Sequence, residues 1–258
     1  MHSADGVQHL SIRKISKMVR PDHMDQAKFI ETPGIIIGSR QLRESDLLLS
    51  VITSRLGGIE VLARGGKRSK RRFMGLLDIL SCCSFKLNPN RSGSLADSFT
   101  VEAANQLENW NSLRSDLKKF QLASLVCELT GIFVHPGDPD GSRYYEIVFR
   151  SLRKINSLHT DAELLAISTY FTLKCLDIAG VNLVEDEDYL STHQELLPYL
   201  RAKQTEDAPV ITSDLTLPIR ATSAALEYIQ RLTHRRIFSW DRNTALTFGA
   251  PAAGTAAV

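Results

Sequence analysis

Arg64-Gly65-Gly66-Lys67-Arg68-Ser69-Lys70-Arg71-Arg72 is a run of cations hinged on two glycines, with no acidic residue until Asp78. Solvated surfaces usually mix both signs, because like charges repel. The whole chain carries a formal charge of only +2, from 31 basic and 29 acidic residues. Its basicity is therefore a matter of placement, and a one-signed loop suits a polyanion, above all a phosphodiester backbone. A basic loop without a ligand and a nuclear import signal are the bland alternatives. Arg40, Arg43 and Arg55 precede the run and add to the supply of phosphate contacts. Rings that could stack on bases are few: Phe73, Phe85 and Phe99. Phe85 and Phe99 lie in apolar runs and are expected in the core, so Phe73, directly after the cations, is the ring expected to touch a base. Many cations and few rings imply backbone-led binding with little sequence preference.

Covalent chemistry finds less support. Gly65-Gly66-Lys67 lacks the earlier glycine and the following Ser or Thr of a phosphate loop, because Val61 and Arg68 hold those positions. Glu44, Asp46 and the knot Glu185 to Asp188 could hold magnesium in a nuclease, but exposed carboxylate clusters are far more often solvated faces. His135 sits in a Pro/Gly loop and His159 at a helix entry, neither near a nucleophile pattern. No Gly-x-Ser-x-Gly elbow and no His-Glu-x-x-His pair occur. The reading is of a non-enzyme with no cofactor. The four cysteines, Cys82, Cys83, Cys127 and Cys175, lack disulfide-framework spacing and point to a reduced, cytoplasmic setting. No stretch approaches the length of a membrane span, and no apolar leader is visible in the first thirty residues.

The elements that must position these residues change period midway. Residues 1–28 lack periodicity and read as a disordered extension, within which Met18 and Met24 each offer an alternative start. Strands are expected at Gly34–Gly38, Asp46–Thr53, Ile59–Arg64, Leu76–Leu87 and Leu95–Val101, separated by glycine-rich turns. Five strands in so short a span suit a small antiparallel barrel at 29–105. Helical spacing then takes over in a domain spanning 106–248. One helix begins at Asn111 or Ser112 and runs to about Val134, and a second spans Ser142 to about Ile155. A third runs from Asp161 to Ala179, and a last from Arg220 to about Arg235. Residues 181–218 look irregular, and 249–258 read as a flexible Ala/Gly-rich tail. The fold class is α+β: an OB-fold barrel followed by an α-helical bundle.

Several segments resemble the RecO family of bacterial DNA repair proteins in the same order. They are Gly34-Ile-Ile-Ile, Arg43-Glu44-Ser45-Asp46, Ile52 to Gly58, Ala63 to Arg71, Leu113-Arg-Ser-Asp-Leu, Cys127-Glu128-Leu129 and Leu173 to Gly180. The resemblance covers about Pro33 to Gly180. It implies a nucleoid-associated recombination mediator that binds single- and double-stranded DNA and anneals complementary strands. It further implies work with RecR, often with RecF, in loading RecA onto strands coated by single-strand-binding protein, whose acidic C-terminal tail the family binds. The DNA contacts it implies are Arg64, Lys67, Arg68, Lys70, Arg71 and Arg72, with Arg40 and Arg43 as weaker candidates. The tail is expected on the helices, near Lys118, Lys119, Arg143, Arg150, Arg153 and Lys154. One departure stands out: many members carry a four-cysteine zinc module after the glycine matching Gly180, and no cysteine follows Cys175 here. His193 and His234 alone cannot complete tetrahedral zinc. The alternatives to a DNA mediator are an RNA-binding OB-fold protein of translation or ribosome assembly and a metal-dependent nuclease.

Overall fold

The computed structural model describes residues 29–68, 73, 75–89, 98–138, 140–205, 215–240 and 247–248. The expected N-terminal extension, residues 90–97 and the expected tail 249–258 lie outside the described residues. Five strands, β1 (Ile30–Gln41), β2 (Leu47–Thr53), β3 (Gly57–Ala63), β4 (Cys82–Pro89) and β5 (Ser98–Glu108), close into a barrel in the order β1-β2-β3-β5-β4. Four of its pairings are antiparallel. The fifth, β3 with β5, is parallel through Glu60–Ser98 to Leu62–Thr100, so the expected all-antiparallel barrel is a mixed one. Apolar runs do not reveal strand direction, and only closure does. Leu76 to Ser81 also differs from expectation, being turns that lead into β4. There Leu80 and Ser81 exchange backbone hydrogen bonds with Ile36 of β1.

Side-chain alternation divides the barrel between two cores. Ile36, Leu49, Val51, Val61, Phe85, Leu87 and Val101 fill its interior. Ile35, Ile52, Leu80 and Cys82 instead join the helices in one continuous cluster with Leu113, Leu122, Leu129, Val148 and Leu176. The junction is tightened by the Thr-x-x-x-Gly turn between β2 and β3. Thr53 Oγ1 accepts the Leu56 N–H (3.0 Å) and donates to the Gly57 carbonyl (2.9 Å). Gly57 has φ +65°, and Gly58 forms a backbone bridge to Pro136. The helical loop therefore lies against bare glycine backbone.

The helical region holds α1 (Asn111–Ser115), α2 (Leu117–Phe133), α3 (Gly141–Ser157), α4 (Asp161–Ile178), α5 (Glu187–Thr192), α6 (Leu197–Thr205) and α7 (Thr216–Thr233). The expected first helix is split. Asp116 is extended and accepts from the Lys118 and Lys119 amides, so it starts α2, and Asn111 begins only a single short helix. Thr160 and Glu163 form a reciprocal capping box on α4. Residues 183–205, expected as irregular, form two 3-10 turns and two short helices. Leu183, Val184, Tyr189, Leu196, Tyr199 and Leu200 are buried there. Tyr189 stacks on His193 (4.4 Å between centroids) and meets Tyr228 edge-on (5.3 Å). Asp186, from the acidic knot, accepts the Tyr189 amide (2.9 Å) and the Tyr228 hydroxyl (2.8 Å). Helices this short give too few repeats for a visible period, which is why composition alone reads as loop. Among the described residues no three His, Cys, Asp or Glu side chains gather as a metal ligand set. No described helix is long and apolar enough to cross a membrane.

Candidate nucleic-acid interface

Two loops meet at one end of the barrel: the β1–β2 turn, Leu42–Asp46, and the segment after β3, Arg64–Arg68. The Glu44-Ser45-Asp46 step joins them. Asp46 Oδ1 accepts the Gly65 N–H at 2.8 Å, and the Ser45 carbonyl accepts the Lys67 N–H at 3.1 Å. Gly65 has φ +66°, a conformation that costs glycine little, and turns the chain so that its amide faces Asp46. Gly66 and Arg68 donate backwards to Ala63 and Gly65 (both 3.1 Å), giving the loop successive tight turns. The acidic pair thus has a structural part that composition hides: it latches the basic loop to the barrel.

The latch brings Arg40, Arg43, Arg64, Lys67 and Arg68 to one rim, and all five are exposed. Arg40 faces Glu60 at 3.7 Å, Arg68 pairs with Glu44, and Lys67 donates to Gln41 Oε1 at 2.9 Å. Exposed pairs of this kind are worth little and exchange readily for a better anion. Arg43 and Arg64 flank a shallow cleft of about 270 Å³ with Leu42, Asp46 and Leu62. A second cleft, about 350 Å³, opens beside Gln41, Gly66 and Lys67. Lys70, Arg71 and Arg72 lie outside the described residues. Phe73 corrects the expectation placed on it. It is among the residues lining the second cleft but is only 1% exposed and belongs to the barrel interior, so its ring is not offered to a base. An aromatic next to exposed cations in sequence need not be exposed with them.

The helical cations do not form one rim. Lys119 is a correction: it is buried, donating to Ser112 Oγ (2.8 Å) and the Asn156 carbonyl (3.0 Å), and so ties α2 to α1 and α3. Lys118 pairs with Asp161 at 2.6 Å and lies 5.4 Å from the Phe248 ring centre. Both lysines line an open hollow of about 570 Å³ with Leu117, His159 and Leu164. Arg143, Arg150, Arg153 and Lys154 stand along α3 and do not line it. The first three face Asp140 (3.2 Å), Glu146 (2.6 Å) and Glu108 (4.0 Å).

All four cysteines are buried and free. Burial pushes the Cys83 thiol up to about 11 and Cys127 up to about 12. Cys82 also rises to about 12, from burial first and then from the neighbouring Cys83 and Glu108. Thiols held this far from ionisation are poor nucleophiles.

The family model for Recombination protein O N terminal matches residues 24–106, and that for Recombination protein O C terminal matches 114–243. Proteins named DNA repair protein RecO are similar to the chain. That of Caldanaerobacter subterraneus subsp. tengcongensis is 24% identical over 172 residues, covering 67% of this chain and 66% of its own length. The Syntrophobacter fumaroxidans protein is 29% identical over 153 residues, covering 59% and 58%. The Dehalococcoides mccartyi protein is 26% identical over 206 residues, covering 78% of each. The chain thus spans less than two thirds of the length of the first two relatives, while the two family models meet on its barrel and its helices in turn. It belongs to the recombination protein O family.

Proposed function

We propose that the chain is a DNA-binding recombination mediator in DNA repair. In this reading it holds single- and double-stranded DNA through the barrel rim and anneals complementary strands. The observation that carries the reading is the latch from Asp46 to Gly65, which fixes a cluster of exposed cations at one end of a closed five-stranded barrel. A latched loop presents its charges without paying again to order them, and a backbone-directed site needs no base pocket. Lys70, Arg71 and Arg72 extend the same site in sequence. RecR, often with RecF, is the expected partner, with RecA loaded indirectly onto strands coated by single-strand-binding protein. The hollow beside Lys118 is the place proposed for that protein's acidic tail, because it combines a cation with apolar Leu117 and Leu164. No covalent step is assigned to any residue.

The test is annealing of complementary DNA oligonucleotides without nucleotide or metal, together with the salt dependence of single-strand affinity. Arg43, Arg64 and Lys67 are exposed, so replacing all three by alanine leaves no buried group unpaired. The slope of log affinity against log salt should flatten by about 2, at roughly 0.7 per phosphate contact, and annealing should slow. A folded variant with unchanged slope and unchanged annealing would move the site off the rim. Preference for RNA over DNA of the same sequence would favour a role in translation or ribosome assembly.

A further inference from the structure

Beyond α7 the chain crosses the helical bundle as a fixed strap. His234 ends the helix in a left-handed conformation (φ 53°), and Ile237 is buried behind it. The Ile237 amide donates to Gln230 Oε1 (3.0 Å). The Phe238 and Ser239 amides donate to the two carboxylate oxygens of Glu128 on α2 (2.8 and 2.7 Å), and the Trp240 indole N–H donates to Ser223 Oγ (2.9 Å). Glu128 spends its charge inward on these amides. With Ile237 turned in, Arg236 and Phe238 turn out. Phe238 is 71% exposed, more than any other large hydrophobic side chain among the described residues. The Arg236 guanidinium sits 5.3 Å from its ring centre. Arg231, His234, Arg235 and Arg236 surround an open hollow of about 580 Å³ with Gln230 and one carboxylate, Glu227. Arg231, Arg235 and Arg236 form no ion pair among the described residues.

Cations at a helix C-terminus offset its partial negative charge, which accounts for Arg231, His234 and Arg235. It does not account for Arg236 and Phe238, which lie past the helix end on a segment held from beneath. An exposed ring beside guanidiniums that no described carboxylate neutralises suits a flat, anionic ligand, because bases stack on aromatic faces while arginines take the phosphates. An acidic peptide fits less well, since its apolar anchor needs an enclosed pocket and this hollow lies wide open to solvent. We propose that the strap, through Phe238, Arg231 and Arg236, is a second contact for single-stranded nucleic acid, on the helical side of the molecule. The proposal rests on the reading of the chain as a nucleic-acid binder. It adds a place where a base is gripped by stacking, which the described residues of the barrel rim lack.

The test uses the full chain and single-stranded DNA carrying 5-iodouracil. Irradiation should link the base to the peptide containing Phe238. Phe238→Ala should weaken single-strand affinity about tenfold, a mid-range loss for one stacked base, and Phe238→Trp should restore it. Arg231→Ala with Arg236→Ala should flatten the salt slope by about 1.4, at roughly 0.7 per contact. These side chains are exposed, so their loss should leave the melting temperature unchanged. Unchanged affinity and slope in both strap variants, with binding lost in the Arg43, Arg64 and Lys67 variant, would overturn the strap and spare the rim. The reverse result would overturn the rim and spare the strap. No binding by the unaltered chain would overturn both. Loss of an acidic, aromatic-ended peptide without loss of DNA would overturn the proposal and make the strap a protein-docking surface.

Discussion

Asp46 accepts the Gly65 N–H at 2.8 Å, and with that bond the turn before β2 sets the position of the loop after β3. Its contribution is one charge-assisted hydrogen bond, a term of about 1.5–3 kcal/mol when its partner is not left to water. Asp46→Ala should therefore loosen the loop while leaving the barrel folded. The Gly65 amide should exchange with solvent faster, and single-strand affinity should fall severalfold. Asp46→Asn keeps an acceptor oxygen and should retain most of both. Equal Gly65 exchange in Asp46→Ala and the unaltered chain would show that the turns at Gly66 and Arg68 hold the loop unaided. The cysteines give a second expectation at this scale. Burial holds the thiols of Cys82, Cys83 and Cys127 at about 11 to 12, so below pH 9 almost none is thiolate in the folded chain. An aromatic disulfide reagent at pH 8 should leave all four cysteines unmodified over minutes, and denaturant should release all four. Fast native reaction of one thiol would reveal local opening at that residue.

Two glycines from different elements touch where the β2–β3 turn meets the start of α3. A methyl group added at Gly141 would lie 2.5 Å from the Gly57 Cα, and the obstacle is backbone on both sides. Gly141→Ala should thus destabilise the fold by about 1–3 kcal/mol, the usual cost of overpacking. Gly131→Ala, in α2 with nothing within 4 Å of its added methyl, should stabilise by about 0.5–1 kcal/mol. Thermal melts of the two variants should move in opposite directions, and a neutral Gly141→Ala would mean that the junction gives way without cost. Much at this scale was legible in the chain, because apolar runs between glycine-rich turns exposed five strands and longer periods exposed α2, α3, α4 and α7. Strand direction was hidden, since the parallel β3–β5 pair depends on how the barrel closes. The short helices of 187–205 were hidden because a helix of six or nine residues barely repeats its pattern. At the site the cations could be read but their neighbours could not. The latch by Asp46, the burial of Phe73 and Lys119, and the strap held by Glu128 all join residues far apart in sequence.

At the scale of the whole molecule, the barrel and the helices are joined by apolar packing. Ile35 and Ile52 are fully buried in the same cluster as Leu129, Val148 and Leu176, and Trp110 sits at the passage between the regions, 5% exposed and 6.2 Å from Phe149. Arg114 on α1 reinforces the joint, donating to the Ile79 carbonyl (2.9 Å) and Ser81 Oγ (3.0 Å) below β4. Domains linked by a flexible tether unfold separately, whereas domains that share a core expose it together, so neither outlasts the other for long. The expected behaviour is one cooperative transition. Trp fluorescence, far-ultraviolet circular dichroism and amide exchange in β2 and α4 should give the same midpoint in urea. Gly141→Ala should lower all of them by the same amount, because the strain it introduces belongs to the shared junction. Loss of exchange protection in β2 at a lower urea concentration than in α4 would contradict the shared core. The barrel would then be a separately folding unit leaning on the bundle, and the rim and the strap could no longer be treated as sites on one rigid body.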